Sequence, residues 1–267
     1  MSYLAIEDRG PIAIVRLDRA QSRNAISSFE DCAELVDCLV RLDADRAKRV
    51  IILTGADPAF CAGGDLKQMR AGTGLGGGRT ALEVQDNYRR GVQRIPLAFQ
   101  SLDIPVTAAV NGPAVGVGCD LAAMCDLRVA SERATFAESF VKVGLVPGDG
   151  GAWFLARAIG VAAAARLALT GETIGAERAR AIGLVSDVVP HDDLIPAAVA
   201  LASTIAANPP AAVRRTKRLL REALALPLPA FLDLTSGMQA ALHHGDDHKE
   251  AVAAILEKRA PVFTGSD

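Results

Sequence analysis

Apolar and polar positions follow two different periods along this chain. Residues 3–7 and 12–17 are short apolar-rich runs separated by Asp8, Arg9, Gly10 and Pro11, which predicts two strands joined by a turn. Residues 28–42 instead place Phe29, Cys32, Leu35, Val36 and Leu39 three and four apart, the period of an amphipathic helix. The runs 50–54 and 106–110 are short and dominated by apolar residues, as expected of strands buried on both faces, and a helix-like stretch, 82–102, lies between them. Residues 184–189 predict a last strand ended by Pro190. Beyond it the chain reads as helical, punctuated by Pro209, Pro210, Pro227 and Pro229. The recurrence of strand, loop and helix is an α/β pattern, in which loops at strand ends are the natural place for chemistry.

Composition narrows the choices. With 267 residues, half of them apolar and 22% charged, the chain can fold around a substantial core. A formal net charge of −2 supplies no global field for nucleic acid. Glu7, Asp8 and Arg9 interrupt the segment where an export signal would need an apolar stretch, so a cytoplasmic location is expected. The apolar run 155–169 is broken by Arg157, Gly160 and Arg166 and is expected not to span a bilayer. Cys32, Cys38, Cys61, Cys119 and Cys125 form no C-x-x-C pair, which predicts buried free thiols rather than a disulfide framework or a zinc site.

Two segments carry candidate chemistry. After the strand 50–54 comes Ala59-Phe60-Cys61-Ala62-Gly63-Gly64-Asp65-Leu66-Lys67, whose small residues leave backbone N–H groups accessible at a tight turn into a helix. After the strand 106–110 comes Asn111-Gly112-Pro113-Ala114-Val115-Gly116-Val117-Gly118-Cys119-Asp120-Leu121, again a strand, a small-residue loop and a helix start. Gly116-x-Gly118 lacks the third glycine of a dinucleotide fingerprint, its place being taken by Leu121. The glycine-rich residues 72–78 lack the Gly-Lys-Ser/Thr of a P-loop and predict a mobile loop bordering the site. Two such strand-to-helix loops offer the pair of amide donors needed to hold one carbonyl oxygen as it gains negative charge.

In these two loops, in residues 144–160, in Arg23-Asn24-Ala25 and in Glu257-Lys258-Arg259, the chain resembles the crotonase (enoyl-CoA hydratase/isomerase) superfamily over nearly its whole length. The resemblance implies a spiral core of repeated ββα units over residues 1–195 and a helical region, 196–267, that builds homotrimers or dimers of trimers. It implies acyl-CoA thioester substrates and no cofactor, coenzyme A being part of the substrate. It places the two oxyanion donors on the amides of Gly64 and Val117, with valine narrowing the pocket where hydratases commonly have glycine. The CoA-thioester cleft would include Arg23, Ala25, Ala62, Asp65, Leu66, Lys67 and Phe140. Lys258 would reach CoA phosphates across a subunit boundary, or else be a solvated helix-end lysine.

Hydration of an enoyl thioester needs a base for water and an acid for the α-carbon. The family's first glutamate position falls on Asp120, near a helix start whose dipole favours the ionised form. The second falls on Phe140, which cannot move a proton. Glu138 and Asp149 are the nearby carboxylates, Asp149 being the stronger candidate for a direct role, or else the cap of the following helix. His244 and His248 lack a metal-ligand pattern, and no metal is expected. Ser139 lacks a nucleophile-elbow context, and the basic run from Arg214 to Arg221 reads as a solvated helix face. The expected activity is enoyl-CoA hydration through an oxyanion-stabilised enolate. The alternatives are double-bond isomerisation by one carboxylate and a silent acyl-CoA binder, with no nucleic-acid or membrane partner.

Overall fold

The computed structural model describes residues 2–265, so residue 1 and residues 266–267 of the two expected regions lie outside it. The chain opens with a hairpin, β1 (Leu4–Arg9) and β2 (Ile12–Leu17), paired antiparallel from Leu4↔Leu17 to Arg9↔Ile12. β1 is mostly exposed and ends in Glu7, Asp8 and Arg9, charges that suit a sheet edge. β2 is interior and nearly all buried.

Ser28 then caps α1 (Phe29–Ala44), accepting from the Asp31 amide while the Asp31 carboxylate accepts from the Ser28 amide. β3 (Val50–Gly55), α2 (Leu66–Ala71), α3 (Ala81–Arg90) and α4 (Arg94–Ser101) follow. The helix-like stretch 82–102 is thus two helices, divided where Gly91 leaves helical geometry. Next come β4 (Val106–Val110), β5 (Ala114–Val115), α5 (Val117–Met124), β6 (Leu127–Ser131), β7 (Thr135–Ala137), α6 (Gly151–Thr170), β8 (Thr173–Gly175), α7 (Ala176–Ala181) and β9 (Asp187–Val189). The last strand is shorter than the run 184–189, because Leu184 and Val185 are buried in the preceding turn. From α8 (Leu194–Ala206) onward the chain is helical, through α9 (Pro210–Glu222), α10 (Leu228–His244) and α11 (Asp246–Glu257).

The main sheet has the order β1-β2-β3-β4-β6-β9, parallel from β2 onward, and β5-β7-β8 form a second, smaller sheet. Strand alternation sorts the core into two layers. Ala13 and Val15 of β2 belong to the large layer under α1 and α4, whereas Ile12 and Ile14 face Ala198, Ala202 and Ala206 of α8. Alanines at four-residue spacing let α8 lie close against β2, β3, β4 and β6. The expected boundary at 195/196 therefore falls inside a helix that is part of the core.

Two expectations are corrected. The basic run on α9 is not a solvated face: Arg214 pairs with Asp43 (2.7 Å), Lys217 with Asp126 (2.7 Å) and Arg221 with Asp103 (3.0 Å), tying the helix to the α1 and β4 ends of the core. The apolar run in α6 is longer than read. Its 20 residues have the length and composition of a membrane-crossing helix, but Gly160 (φ 77°, ψ 156°) breaks them into two shorter helices. All five cysteines are free and buried.

Candidate active site

The site is built where the two glycine-bearing loops meet. Cys61 forms a parallel bridge with Ala114, its carbonyl accepts from Val115 N (3.0 Å), and its amide donates to Pro113 O (3.2 Å). This approach needs small residues, since a Cβ on Gly118 would collide with the Cys61 carbonyl. Gly63 takes φ 87°, and a Cβ there would stand 2.6 Å from Val115 O and 3.7 Å from Val117 N, so the two turns border one space. Asn24, itself at φ 58° and fully buried, fixes the first loop by donating to Ala56 O (2.7 Å) and Ala59 O (2.8 Å). The Arg23 carbonyl accepts from Ala62 N (3.0 Å) and the Gly63 carbonyl from Ile26 N (2.9 Å).

Within this mesh the amides of Gly64 and Val117 have no backbone or side-chain acceptor among the described residues; Val117 is the first residue of α5, whose leading N–H groups have no partner in their own helix. Both residues line one cavity of about 450 Å³. Ala62, Asp65, Leu66 and Phe140 line it too, the Phe140 ring lying over Gly116. Asp65 caps α2, accepting from Lys67 N (2.7 Å). Ala25 is buried and leaves the wall to Ile26 and Ser27. Arg23 and Lys67 are exposed beside the cavity loops, outside its lining, and exposed Lys258 ends α11 in a left-handed turn (φ 55°). Of residues 72–78, Thr73, Leu75 and Gly76 line the cavity, and Gly74–Gly76 form a short 3-10 turn.

The chemically distinctive part is a cluster of three carboxyl groups. Asp120 of α5, Glu138 just beyond β7 and Asp149 just before α6 are 0%, 0% and 1% exposed, and none of their six carboxyl oxygens accepts a hydrogen bond from a donor among the described residues. Asp120 stands in the middle, its carboxyl meeting both of the others. Contact between two carboxyls becomes a hydrogen bond only when one of them holds a proton. Gly151 makes room for the cluster, because any side chain there would collide with the Asp120 carboxyl.

Burial is the first cause of every shift in the cluster. It drives the Asp120 carboxyl far above its ordinary value, and the charges of Asp149 and Glu138 push the same way. Burial raises Glu138 to about 7, against the pull of the neighbouring Asp120 carboxyl and with the Asp149 charge pushing the same way as burial. It also raises Asp149, while Asp120 and the nearby amides of Asp149 and Gly151 pull it down, the amides without reaching hydrogen-bond geometry. The expectation that a helix dipole keeps Asp120 ionised is thus overturned: two like charges and desolvation outweigh one turn of helix dipole. The capping expectation for Asp149 fails too, since Gly150 (φ 91°) is the N-cap of α6 and no side chain caps it.

Of the three acids only Asp149 lines the cavity, and Tyr88 lies beside it, its phenol raised first by burial and then by Asp149. No lysine, arginine or histidine lines the cavity among the described residues. Sequence reasoning gave Glu138 less weight than Asp149 and did not find Tyr88. The only signal for Glu138 was a carboxylate directly after a strand, and α3 offered none for Tyr88. Elsewhere, a second cavity of about 510 Å³ between α9 and α10 is lined by Leu219, Leu232 and Met238 among others, and by no carboxylate. His243 and His248 approach within 3.2 Å, but no group of three or more potential ligands is arranged for a metal among the described residues.

Comparison with known proteins agrees with this architecture. The family model for enoyl-CoA hydratase/isomerase matches residues 7–266. A protein of Rhodobacter capsulatus named "probable enoyl-CoA hydratase" is 38% identical, covering 99% of this chain and all of its own. The 2,3-dehydroadipyl-CoA hydratase of Escherichia coli is 34% identical, covering 99% of this chain and 100% of its own. The crystal structure of an enoyl-CoA hydratase from Bacillus anthracis superimposes with a TM-score of 0.91 at 32% identity, over 99% of this chain and 100% of that one. The α/β fold read from the sequence is thereby shared with solved relatives, and with a family match spanning nearly its whole length the chain belongs to the enoyl-CoA hydratase/isomerase family.

Proposed function

We propose that this enzyme adds water across the double bond of an enoyl-CoA thioester. The observation that carries this reading is the meeting, in one cavity, of two acceptor-free amides with Asp149, behind which stand two further carboxyls without donors. The thioester carbonyl accepts from Gly64 N and Val117 N. Asp149 takes a proton from water as the water oxygen bonds to Cβ, and the π electrons move onto the thioester oxygen as an enolate, which the two amides stabilise. The enolate then reforms the carbonyl as Cα takes the proton back from Asp149. The H and OH of one water have been added, and the cluster ends as it began. Asp120, the group most strongly held neutral, keeps the cluster from carrying three charges.

The cleft contacts follow the same reading, with Leu66 and Asp65 at the cavity and Arg23, Ala25, Lys67 and Lys258 toward the CoA moiety. A homotrimer or dimer of trimers is supported by α10, which buries no residue within its own chain and exposes Leu228 and Leu232. Isomerisation is the second reading, favoured by Asp149 being the one member of the buried acid cluster on the wall: one group would lift a proton from Cγ and return it to Cα. A panel of enoyl-CoA thioesters followed by mass spectrometry separates the two. A product heavier by one water supports hydration; an unchanged mass with a moved double bond supports isomerisation; binding without turnover leaves only a binder.

A further inference from the structure

The proposed reaction uses Asp149 directly and needs Asp120 neutral, which leaves Glu138 as a fully buried carboxyl without a task. Its surroundings are stringent. The groups facing the cluster are Asp120 and the Cys119 thiol from α5, Asp149 and the Gly151 amide from the start of α6, Tyr88 from α3 and the Cys61 thiol from the loop after β3. No cation is among them. Glu138 therefore cannot be a structural ion-pair partner, and a solitary buried carboxylate would cost several kcal/mol. Asp120 is the one side chain that meets Glu138 closely enough to share a proton, so a proton between these two is the arrangement that satisfies Glu138. Phe140, at the position where the sequence resemblance looks for a carboxylate, faces the cavity and offers no proton.

We propose that Glu138 is a positioning residue for the reaction: its carboxylate accepts the Asp120 proton, holding Asp120 neutral and oriented so that Asp149 is the base that faces substrate. The inference rests on the proposed carboxylate mechanism, though the state of the cluster is measurable without turnover. Replacing Glu138 by Gln removes the acceptor of the Asp120 proton and puts an amide donor beside Asp120. Asp120 then ionises more readily, its charge stands beside Asp149, and the acid limb of the kcat/KM profile moves up by about one pH unit.

The test is the pH profile of E138Q and E138D beside the parent enzyme, with carboxyl carbon NMR titrations of the same proteins. The expected result is a raised limb in E138Q, a limb restored toward the parent in E138D, and one carboxyl fewer titrating above pH 6 in E138Q than in the parent. An unmoved limb in folded E138Q, or a loss of turnover accompanied only by a lower Tm, overturns the positioning role. Absence of any carboxyl titrating above pH 6 in the parent overturns the shared proton even if the enzyme is active. A parent that turns over no thioester but still shows the titration overturns the proposed reaction while the proton-sharing pair stands.

Discussion

Asp31 and Asp120 are both nearly inaccessible carboxyls, at 3% and 0% exposure, and they have opposite chemistry. Asp31 accepts from both ends of the Arg19 guanidinium (2.7 and 2.8 Å) and from the Ser27 and Ser28 amides (2.9 and 3.2 Å). These partners overcome the cost of burial and bring its carboxyl below the ordinary value. Asp120 has only carboxyls beside it, and burial with like charges pushes it up. The same division runs through the molecule. The acids at the α9 contact, Asp43, Asp103 and Asp126, each hold an arginine or lysine, and the cavity cluster holds none. A buried acid with a cation is part of the scaffold; one without a cation is poised to move a proton.

The largest effects that would break this contrast lie in the cluster. Asp149→Asn should lower turnover by roughly two to four orders of magnitude while thioester affinity changes little, whereas Asp120→Asn keeps a neutral group in the middle of the cluster and should cost far less. Steady-state kinetics with a binding titration checks this, and full activity of Asp149→Asn would remove the carboxylate mechanism. Gly64→Pro deletes an amide donor and should cost about two to three orders of magnitude in kcat if circular dichroism shows the fold intact. Near-normal turnover in a folded variant would exclude that amide as an oxyanion donor.

The absence of cations from the cavity wall sets the next effect. An acyl chain ending in a carboxylate would meet Leu75, Val84, Val92 and Leu145 with no partner for its charge, and Asp149 nearby. Such a thioester should be used about a hundredfold less efficiently than an uncharged one of equal length, by analogy with the cost of unpaired polar groups in a site. Competing the two in one reaction measures the ratio, and parity would mean that a cation reaches the site from elsewhere.

On the scaffold side, Asp31→Asn should lower stability by about 3 kcal/mol, because it breaks a buried pair with Arg19, and should leave kcat of the folded enzyme unchanged. Denaturant unfolding checks the first part and kinetics the second. The two kinds of acid also respond oppositely to pH. Asp31 is lowered, so its contribution is present above the unfolded carboxyl value and is lost as pH falls through the folded value. Glu138 is raised to about 7, so its contribution is complete at low pH and fades as pH rises from the ordinary carboxyl range through about 7. The smallest effect is therefore a gentle decline of Tm between about pH 5 and 7.5 that Glu138→Gln flattens.

Much of the scaffold was readable in one dimension because it depends on local periods. The runs at 12–17 and 106–110 became β2 and β4, and the three-and-four spacing from Phe29 to Leu42 became α1. The two glycine loops were readable as well, since a tight turn into a helix leaves its mark in consecutive small residues. Gly160 was legible as an interruption of the apolar run 155–169, but only the backbone angles reveal that the helix turns there. The α9 cations were misread because a charge run looks the same whether it faces water or aspartates contributed by α1 and by the loops before β4 and β6.

The sequence by itself determined the α/β order of elements, the two amide-presenting loops and the family, since each is written in neighbouring residues. It also brought Asp149 forward as a candidate. Only the tertiary structure decided which acids meet. Asp120, Glu138 and Asp149 come from three different elements, and their proton affinities depend on burial and mutual distance, which no local pattern encodes. An electrostatic property of this kind belongs to the assembled site: the same three residues in water would be ordinary carboxylates, and packed together without a cation they must share protons.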